Sequence, residues 1–160
     1  MILALCCFFS AAAQDGFDGL LALLQSGKTV SCSYSYNVRG DFPLKGEGNA
    51  VLQGKKFRIE ENGTLYFCDG ESITALDAKA KEALIYAPEN SLLYHLEEYR
   101  SAVRDLEFDG KSLKCRLYDP EKALDINFSA SQISVADAAE ADFSFDISTL
   151  GSEWIITDLR

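Results

Sequence analysis

The chain has 160 residues, with 25 acidic against 15 basic side chains and a formal net charge of −10. That length holds one domain with a sizeable core and leaves little room for a second. So acidic a surface repels phosphate backbones and anionic lipid, which excludes nucleic-acid binding and unaided adsorption to a membrane.

The first residues are apolar from Ile2 to Phe9, then small from Ser10 to Ala13. The pattern is that of a secretory signal, with Ala11 and Ala13 three and one residues before the cut. The run is too short to span a bilayer. The expectation is a signal peptide over 1–13 and one exported domain over 14–160. Cys32, Cys68 and Cys115 then remain. Three thiols allow at most one internal disulfide, and each sits in a strand-like run where a small buried hydrophobe fits equally well. No C-x-x-C pair supports a redox or zinc site.

Phe17, Leu20, Leu21 and Leu24 repeat at three and four, which predicts a short helix over Phe17–Gln25, with Gly27 suited to its C-terminal end. TVSCSYSYNV, residues 29–38, alternates strictly: Val30, Cys32, Tyr34, Tyr36 and Val38 share one side of an extended chain. Strand-like pieces follow at GEGNAVLQG, KKFRIEEN, GTLYFC, ESITALDA and KEALIYA, with hairpin turns at Asn62-Gly63 and Asp69-Gly70. Pro88 breaks the series. Leu92, Leu96, Tyr99 and Val103 form an apolar stripe that predicts a second helix over Asn90–Val103. LEFD, SLKCRLY, ALDINFS, DFSFD and EWIITDL read as further strands, with a polar, small-residue connection at 136–141.

These elements predict a single α+β domain: one curved antiparallel sheet of about nine or ten strands, covered by two or three short helices. A sheet of that width must twist and curl, so the expected form is an open half-barrel around an apolar hollow. The inward-facing set is Tyr34, Tyr36, Phe57, Ile59, Phe67, Phe128, Phe143 and Phe145, with Tyr34, Tyr36 and Phe57 the strongest candidates for ligand contact. Each of these residues also suits a packed core. The one histidine, His95, has no second histidine or cysteine near it in sequence, so a packing or surface role is favoured over a metal. No nucleophile elbow accompanies the serines, and the carboxylates around Asp69 suit a solvated turn. The residues therefore nominate no enzyme, no cofactor and no metal.

Three segments in order carry a family resemblance: GEGNAVLQGKKFRIE, TLYFCDGESITALDAKAKEALIY and DFSFDISTLGSEWIITDLR. Gly46, Gly48, Phe57, Arg58, Asp69, Gly70, Phe143 and Phe145 stand where the outer-membrane lipoprotein carriers, the LolA-like family, have their G-x-G strand, F-R strand, D-G hairpin and F-x-F segment. The chain resembles a compact branch of that family over most of residues 15–160. The resemblance implies a half-open β-barrel with a helical lid in the periplasm of a Gram-negative envelope. It further implies transport of lipoprotein acyl chains or a related lipid from an inner-membrane releasing complex to an outer-membrane acceptor, by a monomer. It departs from the family at Gln53-Gly54-Lys55-Lys56, where the carriers have a K-R-P turn whose Arg helps hold the lid shut. A periplasmic interaction or sensor module on the same curved sheet is the alternative, since a fold does not fix a function.

Overall fold

A computed structural model describes residues 16–121, 123–137 and 142–160, with the backbone alone at Leu92. The expected signal peptide over 1–13, and most of the 136–141 connection, lie outside the described residues. Helix α1 runs through residues 16–25. Gly27 follows it at φ 73°, the left-handed conformation that ends helices at low cost to glycine.

Ten strands form one sheet: β1 (Thr29–Val38), β2 (Leu44–Gln53), β3 (Lys56–Glu61), β4 (Thr64–Cys68), β5 (Ile73–Asp77), β6 (Glu82–Tyr86), β7 (Val103–Phe108), β8 (Leu113–Asp119), β9 (Leu124–Ala136) and β10 (Ile155–Asp158). Their order across the sheet is β10-β6-β5-β4-β3-β2-β1-β9-β8-β7, and its two edges do not meet. The fold is thus α+β and mostly sheet, as expected. It is not wholly antiparallel: β10 pairs with β6 in parallel, which makes the sheet mixed.

Hairpin chemistry sets most of the register. Asn62 and Gly63 both have positive φ, 51° and 87°, in the two-residue turn joining β3 to β4. Asp69-Gly70-Glu71-Ser72 and Asp109-Gly110-Lys111-Ser112 repeat one loop design. In each, the aspartate Oδ1 accepts from the two backbone N–H groups that follow the glycine, at 2.6–2.9 Å. Those bonds, led by Lys111 N–H and Ser112 N–H, hold the Asp109 carboxyl below its ordinary range.

Two connections cross the sheet on opposite faces. From β6 to β7, eight places apart in the order, the chain runs through 3₁₀ turns at Pro88–Asn90 and Leu92–Ala102. An α-helix over Asn90–Val103 does not form; His95 breaks the run at φ −114°, ψ 16°, and Val103 already belongs to β7. The 3₁₀ geometry rises about 2.0 Å per residue against about 1.5 Å for an α-helix, so the same residues reach farther across the strands. This segment and α1 cover one face, here the helical face.

From β9 to β10 the chain returns over the far face. There Phe145, Leu150 and Trp154 pack on Phe67, Leu76 and Ala83. DFSFD is therefore not a strand, and β9 is longer than ALDINFS, running on to Ala136 past an irregularity where Gln132 takes φ 54°. Around β5 both faces are covered, which is why Ile73 to Leu76 are all buried. Around β1 and β9 the far face stays open. It carries rows of small polar groups: Ser33 donates to Asn49 at 2.8 Å, and the Ser35 and Ser129 hydroxyls meet at 2.9 Å.

Candidate ligand site on the helical face

Register brings the alternating side chains of β1 to the helical face. Tyr34 lies opposite Gly48 and Tyr36 opposite Gly46 on β2; Gly48 in turn lies opposite Glu61 on β3. The glycines leave the space that the tyrosine rings occupy. A Cβ at Gly46 would sit 2.4 Å from the Tyr36 ring, and one at Gly48 would sit 3.1 Å from the Tyr34 hydroxyl. The rings cross β2 and both hydroxyls donate to the Glu61 carboxylate, Tyr36 at 2.9 Å. Tyr34 stacks on Tyr36 with centroids 6.4 Å apart, and on Phe128 at 6.0 Å. Burial, then the hydrogen bond to Glu61 and its charge, push the Tyr36 phenol up to about 12 and the Tyr34 phenol further in the same direction.

Deeper along the same face, Phe57, Cys68 and Ile73 form a buried cluster against Leu52, Ile59, Tyr66, Tyr86, Leu93 and Tyr94. Beside it lies a cavity of about 170 Å³ with an entirely apolar lining. Phe17, Leu20 and Leu24 of α1 close one side, Leu93 and Leu96 the roof, and Val30, Cys32, Cys115 and Phe128 the floor. An adjoining crevice of about 440 Å³ lies where α1, the 3₁₀ segment and the β2–β3 turn approach one another. Leu24, Leu52, Leu93 and Leu96 line both spaces, while Lys55, Lys56, Gln25 and Glu97 line the crevice only. An apolar cavity of about 150 Å³ stays dry and accepts a benzene-sized guest. With the crevice added, the hollow reaches the range of ligand pockets, about 300–1,000 Å³.

The roof is tied down by side chains. The Tyr94 hydroxyl lies 3.3 Å from the carbonyl oxygens of Lys55 and Gly70 and 3.7 Å from Cys68 Sγ, and the Lys55 ammonium sits 5.5 Å from its ring centre. Arg100 binds Asp18 of α1 and lies 4.8 Å from the Phe17 ring centre, joining the two covering elements. A fastening thus exists at the β2–β3 turn without the K-R-P sequence, supplied by a tyrosine from the roof and a backbone carbonyl of the turn.

Of the eight residues predicted to face inward, Tyr34, Tyr36, Phe57, Ile59 and Phe128 share the helical face. Phe67 and Phe145 do not. Phe67 pairs with Arg58, on the opposite side of β3 from Phe57, and meets Phe145 at 5.5 Å on the far face. Phe143 is buried in the returning segment. The error has a simple source: β4 and β5 are apolar on both sides, so alternation could not choose between faces. The reading missed Glu61, Tyr66 and Tyr86. Glu61 was within reach of turn counting, because the two-residue turns at Gly54-Lys55 and Asn62-Gly63 fix its neighbours.

Among the described residues the three cysteines form no disulfide: Cys68 is buried, Cys32 and Cys115 are half-buried. Burial pushes the Cys115 thiol up to about 11, which makes it a poor nucleophile. His95 is a surface group, with Nδ1 2.8 Å from the Glu98 carboxylate and Nε2 2.7 Å from the Glu89 carbonyl oxygen. In comparisons with known proteins, the chain matches no family model and no curated protein.

Proposed function

We propose that this protein is an exported, periplasmic carrier of the LolA-like type, with the open sheet acting as a half-barrel that shelters acyl chains of a lipoprotein or a related lipid. The observation that carries this reading is the all-apolar cavity under α1 and the 3₁₀ roof, adjoining a crevice with two lysines. Each acyl CH₂ moved from water into such a space gains about 0.8 kcal/mol. Lys55 and Lys56 are placed to meet a carboxylate or phosphate at the polar end. The carrier role needs no chemistry on its cargo, in keeping with a site built of packing residues. A releasing complex in the inner membrane and an acceptor in the outer membrane are the partners this role requires.

The test is to purify the protein from cells, extract bound lipid and identify it by mass spectrometry, then titrate an apolar fluorophore and displace it with fatty acid. Bound acyl lipid and competitive displacement are expected. Ala130→Leu, which fills part of the cavity, should weaken fluorophore binding several-fold while the protein stays folded. A lipid-free protein that ignores the fluorophore would end the carrier reading.

One observation favours a protein-docking module instead. Phe42, in the loop between β1 and β2, is 88% exposed, and Leu44, the first residue of β2, is 56% exposed. Loss of a partner on Phe42→Ser, together with absent lipid binding, would mark that function.

A further inference from the structure

A further pocket, also of about 170 Å³, opens on the helical face and shares no lining residue with the apolar cavity. Its lining includes Tyr34, Phe57, Glu61, Tyr66 and Tyr86, and Ser91 between the two 3₁₀ turns. We propose that this aromatic, carboxylate-bearing pocket binds a compact organic ammonium group, such as choline or an aminoethyl headgroup.

The argument rests on what Glu61 has and lacks. It is half-buried and accepts hydrogen bonds from Tyr34 and Tyr36. A carboxylate offers about four lone-pair sites, so acceptor capacity remains. Among the described residues no Lys, Arg or His forms an ion pair with it. Within the described residues its carboxylate is therefore bonded by the two tyrosine hydroxyls and by no cation, beside aromatic rings whose quadrupoles also favour a cation. The same charge adds to burial in raising the phenols of Tyr34, Tyr36 and Tyr66.

Size and selectivity agree. A space close to that of a benzene-sized cavity takes about six or seven heavy atoms, which suits an ammonium headgroup and excludes a whole lipid. A net charge of −10 raises the concentration of cations near the surface. An apolar guest gains from the rings but leaves Glu61 unanswered, whereas an ammonium group uses both. This inference does not depend on the acyl-carrier reading: the pocket shares Phe57 with the crevice but none of the lining of the apolar cavity, and its ligand chemistry is different.

The experiment titrates purified protein with choline and with its uncharged carbon isostere 3,3-dimethylbutan-1-ol, at constant ionic strength, following amide shifts on β3 and β4 and tyrosine fluorescence. Choline is expected to saturate the site at least tenfold more tightly than the isostere. Glu61→Gln, which keeps an acceptor oxygen for one tyrosine and turns an N–H donor toward the hydroxyl oxygen of the other, should reduce choline affinity at least tenfold with the circular dichroism spectrum unchanged. Tyr66→Leu, which removes a ring and leaves Glu61, should weaken it several-fold and carries the test if the first variant does not fold. A lysophosphatidylcholine that binds more tightly than choline, still dependent on Glu61, assigns the group to a lipid headgroup; equal affinities assign it to a free solute. Equal binding of choline and the isostere, indifference to Glu61→Gln in a folded protein, or no saturable response to choline would overturn the proposal.

Discussion

Tyr34 and Tyr36 show how a side chain's role depends on what lies beneath it. Each ring crosses a glycine and ends on one shared carboxylate. The folded phenol of Tyr36 is raised above the ordinary value of about 10 for tyrosine, to about 12. Its contribution to stability is therefore complete below about pH 10 and is lost as pH rises through about 12. A phenolate absorbance titration should show Tyr34, Tyr36 and Tyr94 among the late-ionising tyrosines, and Glu61→Gln should bring the midpoints of Tyr34 and Tyr36, but not that of Tyr94, back toward the ordinary range.

His95 follows the same linkage on the acid side. Both of its ring nitrogens face acceptors, Glu98 Oε1 and the Glu89 carbonyl oxygen. Only the imidazolium carries two donors, so these hydrogen bonds, that to Glu98 foremost, raise its pKa. Its stabilising contribution is present below about pH 6.5 and fades as pH rises through the higher folded value. The His95 ring resonances should titrate above that of a free histidine, and amide exchange near Leu93 and Tyr94 should quicken once the ring is neutral.

At the scale of elements, β2 is the strand that cannot be altered. A Cβ at Gly48 would lie 2.1 Å from the Glu60 carbonyl oxygen, a backbone atom held in the ladder. Gly48→Ala should cost about 3 kcal/mol in urea unfolding. At Gly46 the clash is with a ring that can lift, so Gly46→Ala should cost about 1–2 kcal/mol and uncouple Tyr36 from Glu61. The roof has its own fastening. Tyr94→Phe removes a hydroxyl held near two carbonyl oxygens and should lower stability by about 1 kcal/mol, with the largest gain in hydrogen exchange between Leu92 and Ala102. The roof was foreseen as a helix because its apolar spacing suits one. It takes 3₁₀ turns because it must stretch between strands at distant places in the sheet.

For the molecule as a whole, the two crossings decide which faces of the sheet are dry. One carries the roof, which covers its face together with α1 from ahead of β1; the other carries Phe145, Leu150 and Trp154. Between them they bury β5 on both sides and leave β1 and β9 wet on the far face. If the apolar cavity is a ligand space, occupancy should protect Cys115, already a slow thiol, from thiol reagents; unchanged labelling with saturating fluorophore would place the ligand elsewhere.

The alternation of β1, the Asn-Gly and Asp-Gly turns and the apolar stripe of α1 were legible because each is a local rule: side chains two apart share a strand face, and positive φ favours glycine or asparagine. Neighbouring strands joined by two-residue turns followed from those rules. The pairing of β1 with β9, the parallel closing strand, the far-face placement of Phe67 and Phe145, and the meeting of Tyr34, Tyr36 and Glu61 did not. They depend on contacts between residues distant in the chain, whose free energy comes from burying particular faces together, and no local spacing encodes which faces meet.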